Sequence, residues 1–109
     1  MGKAYITQYK PTKRLCVMKV YEKKVFIERS MDPNTLIQYL KNYLNYPSLF
    51  IELLCVFYKA DKMTFIYEYL PGGNLKGYIA RGENVSEESA KYYMARLALG
   101  LEALHKKDI

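Results

Sequence analysis

The sequence has few residues that could hold a metal ion or a disulfide framework. It contains two cysteines, Cys16 and Cys55, and one histidine, His105. A zinc site or a disulfide scaffold needs more ligands than these three side chains supply. Both cysteines lie in apolar runs, LCVM and LLCVF, so we predict two buried, reduced, structural thiols. We predict no metal site.

Long apolar segments are also absent. No run approaches the length of a bilayer span, and the N-terminus lacks the basic-then-apolar pattern of a signal peptide. Gly2 could accept a myristoyl chain, but Ile6 stands where that motif requires serine or threonine. We therefore expect an intracellular protein, cytoplasmic or nuclear, without membrane attachment.

Acidic residues are scarce in the first half of the chain. Residues 1–60 carry ten Lys/Arg against four acids, whereas residues 61–109 carry seven of each, which accounts for the net charge of +6. The cations are scattered among strand-like segments and form no run of five or more. We therefore do not expect a nucleic-acid partner.

Local patterns predict the order β-β-α-β-β, a break, then α-α. The two halves of this pattern give an α+β fold, with a division into residues 1–70 and 71–109. Asp32-Pro33 starts the first helix, and Ser86 caps the last one with acids in its first turn. The predicted strands are 3–9, 15–21, 51–58 and 63–70, and the predicted helices are 32–46, 74–81 and 86–107.

Four segments in order resemble the AGC group of serine/threonine protein kinases. The lysine of VMK stands in the second strand, and IYEYLPGGNL resembles the hinge between the kinase lobes. VSEESAKYY resembles the start of a kinase helix, and LEALHKKDI resembles the segment before the catalytic loop. At the N-terminus, GKAY resembles the end of the glycine-rich phosphate loop. The resemblance covers nearly the whole chain.

The resemblance implies an ATP site that includes Lys19, which would contact the α- and β-phosphates. Val17 would touch adenine from the same strand face, and Tyr67 would be the gatekeeper side chain behind it. The backbone of Glu68 and Leu70 would face the adenine edge. Asn74 stands where relatives often carry an acid that meets the ribose or a substrate side chain, and Gly2 and Ala4 would close the phosphate loop.

Two departures from the family bear on activity. The C-helix position that holds the lysine with a glutamate in kinases is Gln38 here, which can accept a hydrogen bond but carries no charge. The catalytic-loop aspartate, the following asparagine and the DFG aspartate are not among the 109 residues. We therefore predict no catalytic residue in this chain, weak or vestigial ATP binding, and no Mg²⁺ binding without the missing C-lobe.

Three hypotheses for function follow. The favoured one is a truncated kinase-like domain, with a partial N-lobe and the start of a C-lobe, that does not transfer phosphate by itself. The second is a fragment of an active kinase whose catalytic loop lies outside the chain. The third is an interaction module that binds a kinase or a regulatory subunit. We expect the apolar stripe of the last helix, which includes Leu97 and Leu101, to find a protein partner or to self-associate.

Overall fold

The computed structural model describes residues 2–30, 32, 34, 46–82 and 84–108. They fall into two compact units, Met1–Tyr69 and Leu70–Ile109. The elements in chain order are β1 Lys3–Tyr9, β2 Arg14–Glu22, α1 Lys23–Glu28, β3 Leu53–Lys59, β4 Lys62–Glu68, α2 Leu75–Ala80 and α3 Glu87–His105. The α+β fold class is therefore confirmed.

The first unit is built on a four-stranded antiparallel sheet with the order β1-β2-β4-β3. Consecutive strands form two antiparallel hairpins, β1–β2 and β3–β4. The central pairing joins β2 to β4, which are separated in sequence by α1 and β3. β3 begins at Leu53, where the register shifts before Cys55, and so starts two residues later than predicted.

The strand register assigns each side chain to one of two faces, because successive residues of a strand point to opposite sides. Lys19 lies opposite Ala4 of β1 and Phe65 of β4. These residues, together with Val17 and Tyr67, form what we call the core face. The other side, called the outer face, carries Lys3, Tyr5, Met18, Val20, Glu22 and Lys62.

The hydrophobic core of the first unit is on the core face. Phe26, Met63 and Phe65 are buried there, with Met63 and Phe65 at 0% and 1% exposure. The Tyr21 ring meets Phe26 and Phe65 edge-on, at centroid distances of 5.8 and 5.6 Å. Full burial of each such side chain contributes about 1.5–3 kcal/mol. The core thus fixes β4 against β2.

Helix α1 was not predicted. It follows β2 directly, and the backbone N–H of Lys23 donates to the Asp61 carbonyl in the β3–β4 turn at 2.8 Å. Its N-cap, Glu22, makes no side-chain capping bond. The buried Phe26 on this helix contributes to the core. Tertiary packing therefore specifies this helix more than its local sequence does.

The helix predicted over 32–46, with Gln38, lies outside the described residues apart from Asp32, Asn34 and Tyr46. The Asp32 carboxylate accepts a hydrogen bond from the Asn34 backbone N–H at 2.9 Å. This contact is the one that an N-cap aspartate makes with the second helical residue.

The two cysteines differ in environment. Cys16, in the inner strand β2, is 3% exposed, as predicted. Cys55 is exposed, so the prediction of a second buried thiol was wrong. The reason is its position in β3, which is an edge strand of the sheet and has a neighbouring strand on one side only.

The second unit contains two capped helices. Asn74 accepts from the Gly77 N–H at 2.8 Å to begin α2, and Ser86 accepts from the Ser89 N–H at 3.1 Å to begin α3, as predicted for Ser86. Between β4 and α2 the chain turns at Gly73, whose φ of 74° favours glycine. No helix among the described residues is long and apolar enough to cross a membrane.

Helix α3 buries small residues and exposes large ones. Gly100 and Ala103 are its buried positions. Met94, Leu97 and Leu101 are 64%, 54% and 52% exposed. The three side chains are spaced so that they lie on one side of the helix. We call this side the apolar face of α3.

Candidate nucleotide-binding face

Lys19 occupies the middle of the core face. It belongs to β2, which has a hydrogen-bonded neighbour on each side, and its cross-strand neighbours are Ala4 and Phe65. The residue is exposed although its strand is internal. A lysine in this position can place its aliphatic stem along apolar neighbours and its ammonium in water.

The Lys19 ammonium lies against an aromatic ring. Its Nζ is 5.6 Å from the centroid of the Tyr67 ring. A cation at this distance from a ring face is attracted by about 0.5–1 kcal/mol at an exposed site. The predicted phosphate-binding lysine and the predicted gatekeeper are therefore brought together by the pairing of β2 with β4.

The Tyr67 ring packs against both Phe65 and the Lys19 ammonium. Its ring stacks on Phe65 with centroids 6.3 Å apart and an interplanar angle of 16°. Burial, and secondarily the nearby Tyr21, raise the pKa of Tyr67 to about 12. The hydroxyl therefore stays protonated near neutral pH and can donate a hydrogen bond. Tyr67 thus offers the lysine an uncharged aromatic wall.

The other predicted residues of β1 and β2 share this face. Ala4 lies opposite Lys19, and Val17 lies opposite Tyr67. A Cβ on Gly2 would approach the Val20 carbonyl oxygen to 2.5 Å and the Tyr21 ring to 2.7 Å. Glycine is therefore required there by close packing, whatever its part in a phosphate loop.

The two hinge positions are partly engaged in other hydrogen bonds. The Glu68 N–H donates to the Glu52 carbonyl at 3.1 Å, and the Glu68 carboxylate accepts from the Glu52 N–H at 3.0 Å. Leu70 belongs to the second unit, where its carbonyl accepts from Gly73 at 3.4 Å. Their contact with an adenine edge stays a prediction.

Asn74 is the N-cap residue of α2, and this role accounts for its residue type. Its side-chain oxygen caps α2, which leaves its amide group available for other contacts. The expected contact with a ribose or a substrate side chain stays a prediction. The signal for the cap was present in the sequence, since asparagine is a preferred N-cap residue.

Among the described residues, the core face offers the Lys19 ammonium beside an aromatic ring but no cluster of carboxylates. In the part of the chain that the structure describes, no group of three or more His, Cys, Asp or Glu residues could hold a metal ion. Gln38, the expected partner of Lys19, is outside that part. The arrangement can attract a phosphate and support an aromatic base.

Comparison with known proteins agrees with this geometry. The protein kinase domain profile matches residues 1–109, and the chain therefore belongs to the protein kinase family. Its relatives are serine/threonine kinases of the AGC type, as the sequence motifs predicted. The chain is 33% identical over 111 residues to serine/threonine-protein kinase sck2 of Schizosaccharomyces pombe. It is 32% identical over 110 residues to RAC-beta serine/threonine-protein kinase of Homo sapiens.

These matches cover 99% of the chain but only 17% of the first relative and 22% of the second. The chain therefore spans about a fifth of the length of these two relatives.

Proposed function

We propose that this chain is the nucleotide-facing part of a serine/threonine kinase domain and that it does not transfer phosphate by itself. The observation that supports the proposal is the Lys19–Tyr67 pair on the core face, at 5.6 Å. In this proposal Lys19 attracts the phosphates of ATP, and Val17 contacts the base. Ala4 closes the phosphate loop, and Tyr67 limits the depth of the site.

The proposed nucleotide affinity is low. Phosphoryl transfer depends on metal-borne charge and on a positioned catalytic aspartate. The motif that supplies that aspartate is not among these residues. Among the described residues no carboxylate pairs with Lys19, and a lysine that contacts only an aromatic ring attracts a phosphate without positioning it firmly.

A thermal-shift titration with ATP, with and without Mg²⁺, tests the site. We expect no shift or a small one, reduced further by Lys19→Ala and unchanged by Lys10→Ala, which removes a lysine from an exposed turn. A large shift that requires Mg²⁺ and disappears in Lys19→Ala would contradict weak binding. A shift that persists in Lys19→Ala would contradict the assignment of Lys19.

A second candidate is an active kinase in which these residues are one segment. The small share of each relative that the chain covers favours it. We propose that the apolar face of α3 is then covered by the rest of the kinase domain. A chain extended upstream through the glycine-rich loop and downstream through the rest of the kinase domain, with the catalytic loop and the DFG aspartate, should phosphorylate a generic serine/threonine substrate, and the same chain with Lys19→Ala should not. If the extended chain is inactive with Lys19 intact, this candidate fails.

A further inference from the structure

A second concave site lies on the outer face of the sheet, away from Lys19. It has a volume of about 570 Å³, which is within the usual size of small-molecule sites. Strands β1, β2 and β4 form its base, and the first turn of α1 forms a wall. Lys3 and Ala4 are consecutive in β1 and so point to opposite faces. The side chains that line this site therefore point away from the predicted nucleotide face, and of the predicted nucleotide residues only Gly2 also borders the site.

The base of this outer pocket is apolar. Tyr5 and Met18 are cross-strand neighbours, and Val20 follows Met18 on the same face. Val25 from α1 completes the lining on one side. Tyr5 is 47% exposed, so a flat ligand could cover its ring. This surface would favour an apolar or aromatic group over a fully hydrated ion.

The rim of the outer pocket is cationic. Lys3, Lys24 and Lys62 surround it, against a single acid, Glu22. Lys24 and Glu22 form an ion pair at 2.7 Å, and this pair lowers the pKa of the Glu22 carboxyl. Lys62 lies opposite Glu22 in the sheet and also lowers the pKa of its carboxyl, whereas Lys3 has no ion-pair partner among the described residues. The uncompensated charge at the rim is therefore positive.

The two remaining lysines can act on one ligand. Lys3 is on β1 and Lys62 is on β4, on opposite sides of β2. Lys3 lies opposite Val20 and Lys62 lies opposite Glu22, so the two lysines are two strand spacings and two residues apart, about 12 Å. Two lysine side chains are long enough to converge across that distance. An anion between them would gain two charge-assisted hydrogen bonds while its attached group covers Tyr5 and Val20.

We propose that the outer pocket binds a small aryl phosphate or a similar organic anion, with the charged group between Lys3 and Lys62 and the ring on Tyr5, Met18 and Val20. Both the volume and the division into an apolar base and a cationic rim favour this class over a bare inorganic ion. The site does not depend on the proposed nucleotide binding, because its side chains point to the other face.

The test is a titration of the ¹⁵N-labelled 109-residue chain followed by NMR, with phenyl phosphate, inorganic phosphate and benzyl alcohol as separate probes. We expect phenyl phosphate to shift the amide signals of Lys3, Tyr5 and Val20 in a saturable way. Inorganic phosphate lacks the ring and benzyl alcohol lacks the phosphate, so we expect each of them to bind at least fivefold more weakly than phenyl phosphate. Amides of α3 serve as an internal control and should not shift.

Charge variants test the two lysines. Lys3→Gln plus Lys62→Gln should weaken phenyl phosphate binding by roughly tenfold, given the modest strength of single exposed ion pairs. The matched control Lys10→Gln plus Lys76→Gln removes the same charge from exposed positions outside the pocket and should change binding less than twofold. Glu22→Gln removes the acid at the rim and should strengthen binding about threefold.

Three results would overturn the proposal. The first is saturable binding without shifts at Lys3, Tyr5 and Val20. The second is an equal loss of affinity in the matched control, which would assign the effect to net charge. The third is equal affinity for inorganic phosphate and phenyl phosphate, which would exclude a role for the apolar base. Because the three named amides are followed individually, weak binding elsewhere cannot be mistaken for this site.

Discussion

Tyr67 serves both the core and the candidate site. Its ring stacks on Phe65, and its other surroundings include the Lys19 ammonium. Sequence reasoning identified both Lys19 and Tyr67 as site residues from the kinase-like motifs. Their contact could not be predicted, because it depends on the register of β2 against β4, and residues 17–19 and 65–67 are far apart in the chain.

The raised pKa of Tyr67 predicts a loss of stability at alkaline pH. Burial raises the pKa of the folded state to about 12, whereas the unfolded value is 10.0. Below pH 10 the folded and the unfolded chain both keep the hydroxyl proton of Tyr67, so the contribution of this group to the free energy of unfolding is fully present. Between pH 10 and 12 the unfolded state loses its proton first, so the free energy of unfolding falls.

Tyr67→Phe should remove this component. Between pH 9 and pH 11 the free energy of unfolding of the variant should rise by about 1 kcal/mol relative to that of the parent chain. This value is discounted because the Tyr67 side chain is only half-buried. Urea unfolding followed by circular dichroism at both pH values measures it. Tyr9→Phe, at an exposed tyrosine, is the control and should keep the parent's pH dependence. An unchanged pH dependence in Tyr67→Phe would contradict the argument.

At the scale of elements, the caps and hairpins followed their local signals closely. The strands and both helices of the second unit begin within two residues of the predicted positions. The exceptions have a common physical origin. Helix α1 has six residues, no capping side chain and a core-facing Phe26, so it depends on packing that no local pattern reveals. The bulge before Cys55 depends in the same way on the pairing of β3 with β4.

Helix α2 should depend strongly on its cap. It has six residues and contains Gly77, which lowers its intrinsic stability by about 1 kcal/mol relative to alanine. Asn74→Ala removes the bond from the side chain to the Gly77 N–H and should destabilise the helix by about 1 kcal/mol. Hydrogen exchange of the amides of residues 77–81 measures the change.

Two variants separate the cap from other effects of this substitution. Asn74→Asp keeps an acceptor oxygen and should retain the protection. Asn84→Ala makes the same chemical change at an exposed position before α3 and should leave α2 unchanged. If Asn74→Ala and Asn84→Ala have the same exchange rates over residues 77–81, the cap does not stabilise α2.

At the scale of the whole molecule, the apolar face of α3 predicts association in solution. Burying exposed leucines between two chains gains about 25 cal/mol per Å² of apolar surface, which favours self-association when nothing else covers them. We expect the 109-residue chain to elute as more than a monomer at tens of micromolar, and Leu97→Asp plus Leu101→Asp to shift it toward the monomer. Sedimentation velocity measures both.

Ile27→Asp is the matched control for that experiment. Ile27 is 78% exposed on α1, so its replacement removes an exposed apolar side chain from a different surface. It should leave the association state unchanged. A parent chain that is monomeric at all concentrations would contradict an interface on α3.

The unequal exposure of the two cysteines allows the opening of the sheet to be followed by thiol labelling. In the native state a maleimide dye should react with Cys55 alone, slowly because partial burial raises the pKa of its thiol. Cys16 should react only after β2 has separated from its neighbours. Counting attached dyes by mass spectrometry after a timed pulse therefore distinguishes the intact sheet, with one label, from the opened sheet, with two.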